Sequence, residues 1–137
     1  MATQTYHGGC HCGSIRYSAE LDLDQGTMRC NCSLCAKSRA WFAFAPADAF
    51  HLEASESSVT YRWTPPGKER PNLTYHFCAQ CGVRTHANGI GPGGKETVAV
   101  QVATIEDADP DTLAAQIRFV DGRHDDFAHP PADIRLL

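Results

Sequence analysis

Cys30-Asn31-Cys32-Ser33-Leu34-Cys35 places three thiols within six residues, and this stretch constrains the chain more than any other. The remaining four of the seven cysteines fall in two equally tight pairs, Cys10-His11-Cys12 and Cys78-Ala79-Gln80-Cys81, so none is isolated. A single buried cysteine usually behaves as a small hydrophobe, but packing does not account for three clusters. An odd count cannot close fully into disulfides within one chain, and neighbours as close as Cys10 and Cys12 make awkward bridges. Metal binding fits the pattern better. Structural zinc takes four protein ligands, whereas catalytic zinc takes three and keeps one position open. Seven thiols therefore divide into one closed site and one open site.

Spacing allows two partitions. In the first, Cys10, Cys12, Cys78 and Cys81 close one site, and Cys30, Cys32 and Cys35 hold the other. In the second, the two C-x-x-C pairs, Cys32 with Cys35 and Cys78 with Cys81, make a ribbon-like site and leave Cys10, Cys12 and Cys30. In an extended segment residues i and i+2 face the same side, so Cys10 and Cys12 aim together while His11 points away. If the three-thiol site is closed by a further ligand, His11, His76 and His86 are the candidates.

At 137 residues the chain suits a single domain spanning residues 1–137. Its formal net charge of -4 speaks against nucleic acid as the main partner, which asks for a basic face. No basic and apolar leader opens the sequence, and no apolar run approaches bilayer length. The expectation is a soluble, cytoplasmic protein, in keeping with reduced thiols.

Strand signals dominate. Ile15, Tyr17 and Ala19 alternate with polar residues, as do Val59, Tyr61 and Trp63, then Leu73, Tyr75 and Phe77, and most clearly Val98, Val100 and Val102. Thr27 to Arg29 reads as a short strand delivering the triple-cysteine stretch, and Trp41 to Phe44 as another, either in the core or walling the open site. Asn88 to Gly94, with four glycines and a proline, reads as a loop. It lacks the Lys-Ser/Thr ending and following helix of a phosphate loop. Short helices are expected near Pro46 to Phe50 and Asp107 to Leu113, a strand at Ile117 to Val120, and an irregular tail from Asp121. The fold class is mostly β.

Three signatures, Gly9-Cys10-His11-Cys12-Gly13-Ser14-Ile15-Arg16-Tyr17, Cys30-Asn31-Cys32-Ser33-Leu34-Cys35-Ala36-Lys37 and Phe77-Cys78-Ala79-Gln80-Cys81-Gly82, resemble those of the glutathione-dependent formaldehyde-activating enzymes, in the same order. The resemblance implies a β-tent fold of small antiparallel sheets with zinc-binding knuckles. It also implies a structural zinc on Cys10, Cys12, Cys78 and Cys81, and a catalytic zinc on Cys30, Cys32 and Cys35. The implied activity is that of a carbon-sulfur lyase adding glutathione to formaldehyde to give S-(hydroxymethyl)glutathione. Another thiol or small carbonyl compound on the same fold, or a non-catalytic zinc module, are the alternatives. A trithiolate zinc is electron-rich, which favours thiol chemistry over hydrolysis. Glutathione brings two carboxylates, for which Lys37, Arg39 and Arg84 are the candidate partners beside the cysteine clusters. Two segments, Val83 to His86 and Arg123 to Phe127, depart from the family pattern and leave the metal sites untouched.

Overall fold

The computed structural model describes residues 3–137. In chain order the elements are β1 (Gln4–Gly9), β2 (Ile15–Leu21), β3 (Thr27–Cys30), α1 (Ser33–Ser38), β4 (Trp41–Pro46), β5 (Phe50–Ser55), β6 (Ser58–Arg62), β7 (Leu73–Cys78), β8 (Arg84–Ile90), β9 (Glu96–Gln101), α2 (Pro110–Ala115) and β10 (Ile117–Val120). The mostly β architecture anticipated from alternation is what forms. A three-stranded sheet runs β1-β2-β5, and a seven-stranded sheet runs β10-β3-β4-β9-β8-β7-β6. Every pairing is antiparallel except β10 against β3.

The small sheet covers one face of the large one. Tyr6, Tyr17, Ala19 and Leu21 from β1 and β2 pack against Ala43, Ala45, Val98 and Val100 from β4 and β9. Tyr17 is fully buried, yet its hydroxyl meets Thr104 Oγ1 at 2.8 Å, and Thr104 donates onward to the Gln101 carbonyl. Both polar groups are therefore satisfied inside the core. On the opposite face, Phe42, Tyr75, Ala87 and Ala99 pack with Cys30, Cys35 and Val120. With both faces covered, β9 is buried at consecutive positions from Val98 to Gln101. Its valines serve one core and Ala99 the other.

Two segments differ from the sequence reading. Asn88, Gly89 and Ile90 belong to β8, because Val98, Thr97 and Glu96 pair with them and Leu73 and Thr74 hold the other side. Gly89 is needed there, since a Cβ would strike the Asn72 carbonyl oxygen. The triple-cysteine stretch turns into α1, whose six residues are too few to give a periodic signal. Cys32 caps this helix by accepting from the Cys35 amide, and Arg39 ends it in the left-handed conformation, φ 57°. Strands β1 and β5 carry no strong alternation, so the sequence pattern does not reveal them.

Candidate metal centres and the adjoining cavity

The two hairpins β1–β2 and β7–β8 each turn through a cysteine knuckle of the same design. Cys10 N–H donates to the Ile15 carbonyl and Cys78 N–H to the Val83 carbonyl, both at 3.0 Å. Gly13 and Gly82 close the two turns with φ of 87° and 77°, a region open to glycine at little cost. The knuckles face each other, so Cys10, Cys12, Cys78 and Cys81 form one group whose sulfurs all lie within 4.8 Å. Cys10 to Cys12 is 3.7 Å and Cys12 to Cys78 is 3.6 Å. Four sulfurs around a tetrahedral metal with bonds of zinc's length would stand about 3.8 Å apart, whereas a disulfide needs about 2 Å. The spacing therefore fits an ion and excludes a bridge.

Donors surround these sulfurs. The Ile15 amide reaches Cys10 Sγ at 3.2 Å, while the Gln80 and Cys81 amides reach Cys78 Sγ at 3.3 and 3.4 Å. The Ser57 hydroxyl, 3.1 Å away, is the leading cause that brings the Cys78 thiol down to about 5. Hydrogen bonds to the charged form are what a thiolate ligand requires. The group sits where the small sheet meets the large one, so an ion here would staple two sheets together.

Cys30, Cys32 and Cys35 form the second group, at the end of β3 and the start of α1, again within 4.8 Å of one another. Of the two partitions that spacing allowed, the structure assembles the first. The Cys32 amide points to Cys30 Sγ and the Cys35 amide to Cys32 Sγ, each at 3.4 Å. Cys32 is held down to about 2 by hydrogen bonds from Cys30 and then Cys35, while contacts with Cys30 and then Cys32 drive Cys35 far up. A dication bound here would displace the remaining thiol protons.

Among the described residues no histidine or carboxylate completes this trio. His11 is exposed. His86 stacks on His76 at 4.3 Å and lies tilted against Phe50 at 4.6 Å, and burial followed by the neighbouring His76 pushes it down to about 3. Cys30, Cys32 and Cys35 all line a cavity of about 690 Å³.

Strand register shapes this space. Phe44 pairs with Ala99, Ala99 with Ala87, and Ala87 with Tyr75, so one row across four strands has large residues at its ends and alanines between. Met28, Phe42 and Leu73 extend the walls. The loop through Trp63, Pro66 and Lys68 forms one rim, and the tail segment with Gly122, Arg123, His124, Asp125 and Phe127 the other. Lys68 Nζ meets Asp125 Oδ2 at 3.2 Å, tying rim to rim. The tail is anchored below by Asn31, which accepts from the Arg123 amide at 2.9 Å and donates to Asp121 at 2.9 Å.

None of the three cations singled out by sequence lines this cavity. Lys37 lies exposed on α1, and Arg39 donates to the Leu136 carbonyl. Arg84 lies with its guanidinium 5.1 Å from the Tyr75 ring centre, on β8 behind the wall. The cations that do line it, Lys68 and Arg123, are distant from the cysteine motifs in sequence, so proximity along the chain gave no signal for them.

A family model described as glutathione-dependent formaldehyde-activating enzyme matches residues 5–120. A Halomonas elongata protein named "Putative glutathione-dependent formaldehyde-activating enzyme" is 29% identical over 79 residues, 54% of this chain. The match spans 50% of that relative's length. A crystal structure of a Rhodobacter sphaeroides protein superposes with a TM-score of 0.65 at 26% identity, covering 81% of this chain and 97% of the other. No helix among the described residues is long and apolar enough to cross a membrane. Both cysteine groups and the strands that carry them fall inside the matched span, and on that match the chain belongs to the glutathione-dependent formaldehyde-activating enzyme family.

Proposed function

We propose that the protein joins a thiol to an aldehyde, with glutathione and formaldehyde as the reactants that the family's description names, in a lyase-type reaction at a zinc held by Cys30, Cys32 and Cys35. The observation that carries this reading is the three-thiol group, which no fourth protein ligand among the described residues completes and which opens into a cavity. Zinc on Cys10, Cys12, Cys78 and Cys81 is structural in this account. All donors are sulfur, which suits zinc over the harder divalent ions.

Zinc at the trio supplies a lowered thiol pKa and a site for sulfur. The chain does the rest. A free thiol of pKa about 8.5 is only a few per cent ionised at neutral pH, so full ionisation gains on the order of tenfold before its lower nucleophilicity is counted. Holding both reactants against one wall adds the larger gain of proximity. Arg123 is placed at the rim to meet a carboxylate, with its Nε donating to the Asn31 carbonyl at 3.1 Å and its other nitrogens remaining for a ligand. Lys68 can exchange Asp125 for a second carboxylate. The aromatic walls keep bulk water from the reacting carbon.

The test is exchange between free and adducted glutathione at fixed formaldehyde, followed by NMR exchange spectroscopy. The zinc-loaded protein should accelerate it above the spontaneous rate, and Cys35→Ser should not, while its circular dichroism stays native. Equal exchange rates with either protein and with none would contradict the reading.

Mild chelation should separate the two metals. The closed group, wrapped by backbone donors and tied to both sheets, is expected to keep its zinc, and the open group to lose its own first. Metal analysis against chelator concentration should show one equivalent leaving before the other. A single, simultaneous loss would contradict two sites of unequal closure.

A further inference from the structure

We propose that the site also takes an aldehyde carrying a bulky, flat apolar group, which lies against Phe42 and Leu73 between Phe44 and Tyr75. This deepens the thiol-addition reading and rests on it for the position of the reacting sulfur. Formaldehyde alone leaves nearly all of about 690 Å³ unfilled, a volume typical of sites for drug-sized ligands. Glutathione's charged groups are met at the rim and find no partner along the apolar walls of Met28, Phe42, Phe44 and Leu73. Three of the four ionisable side chains at the rim are already engaged with protein partners: Lys68 with Asp125, and His124 with Asp121 at 2.8 Å. Arg123, and Lys68 once it exchanges Asp125, serve glutathione's carboxylates, and the apolar walls remain for something else.

Two further observations favour an aromatic-sized body. Phe44 and Phe127, both in the cavity lining, are 46% and 53% exposed. Large apolar side chains left bare together commonly mark a surface that a ligand covers. Ala99 and Ala87 are almost fully buried between Phe44 and Tyr75 in the cross-strand row, so the sheet register itself spaces these two cavity-lining rings. Tyr75 also lines the cavity, and its hydroxyl has no hydrogen-bond partner among the described residues. The hydroxyl is therefore free to meet a ligand in the cavity. It supplies the donor that the carbonyl oxygen needs. In the addition, the thiolate sulfur bonds to the carbonyl carbon and the C=O π pair moves to oxygen. That oxygen, hydrogen-bonded by Tyr75, takes up the proton the thiol gave up.

The test titrates zinc-loaded protein with 2-naphthylmethanol, whose hydroxylated tetrahedral carbon resembles the adduct, and with 2-methylnaphthalene and methanol, followed by 1H–15N NMR. Naphthylmethanol should saturate, with shifts centred on Phe44, Tyr75 and Phe127, and methanol should not. Tyr75→Phe should abolish the preference for naphthylmethanol over methylnaphthalene with both zinc equivalents retained. Phe44→Ala should weaken both ligands by roughly tenfold. Failure of naphthylmethanol to saturate, shifts elsewhere on the protein, or unchanged affinities in Phe44→Ala would overturn the proposal. The glutathione–formaldehyde exchange run on the same sample separates the two ideas. Accelerated exchange without naphthyl binding removes this inference alone, and naphthyl binding as described without any exchange removes the thiol-addition reading and leaves the ligand class standing.

Discussion

Cys78→Ser is expected to unfold or aggregate the protein, and Cys32→Ser to leave it folded with one zinc fewer. The difference follows from where the two sulfurs sit. Cys78 is 1% exposed, accepts from the Gln80 and Cys81 amides and from Ser57, and belongs to the group that joins the β1–β2 hairpin to the β7–β8 hairpin. The local core there is small, consisting of Cys10, Ile15 and Cys78 with Cys81 and Val83 against it. Little apolar burial stands in reserve if the ion is lost. Structural zinc contributes on the order of 10 kcal/mol to folding, as much as the whole net stability of many domains. Cys32, by contrast, is only half-buried and caps a six-residue helix on one face of a sheet already covered on its other side. Its replacement by serine keeps a capping oxygen, which is a favoured group at that position. Thermal melts paired with metal content decide the matter, and equal destabilisation of the two variants would contradict the assignment of their roles.

Gly122→Ala should remove the open-site zinc with a single methyl group. A Cβ at Gly122 would run into Cys30 Sγ and would also come within 3.3 Å of the Phe127 ring. Phe127 stands at the exposed rim and can move, but Cys30 is 5% exposed, at the end of β3, and cannot. The sulfur must therefore shift out of the trio or the tail must lift away. The closed group lies on other hairpins and should keep its ion. The expected product is a folded protein with one zinc per chain and weakened thiol binding. Retention of both equivalents with unchanged thiol affinity would show that the tail does not pack on the ligand as described.

The four-plus-three division was legible because core packing and disulfide pairing both fail to place seven thiols in three tight clusters, whereas metal ligation requires such spacing. Which clusters share an ion was not, since Cys32-x-x-Cys35 and Cys78-x-x-Cys81 are equivalent in spacing. Only the meeting of two hairpins from different sheets decides it. The strands through Ile15, Tyr75 and Val98 were readable from their alternation. The β8 extension through Asn88 and Gly89 was not, because its neighbours, and not its own propensity, hold it in the ladder. The cavity was hidden for the same reason. Its walls take Phe44 and Tyr75 from the two ends of a cross-strand row, and its rim comes from a tail that reads as irregular. Lys37 and Arg39 looked well placed because they follow the cysteines in sequence, but α1 and its left-handed cap carry them off the cavity wall.

The central claim is that the Cys30–Cys32–Cys35 centre keeps a position for an incoming thiol. Replacing the open-site zinc by cobalt and titrating glutathione reads that position directly, through sulfur-to-cobalt charge-transfer absorption. A saturable new band, weakened in Arg123→Ala and absent in Cys35→Ser, is the predicted result. No change in the spectrum at millimolar glutathione, with cobalt present at the trio, would contradict it.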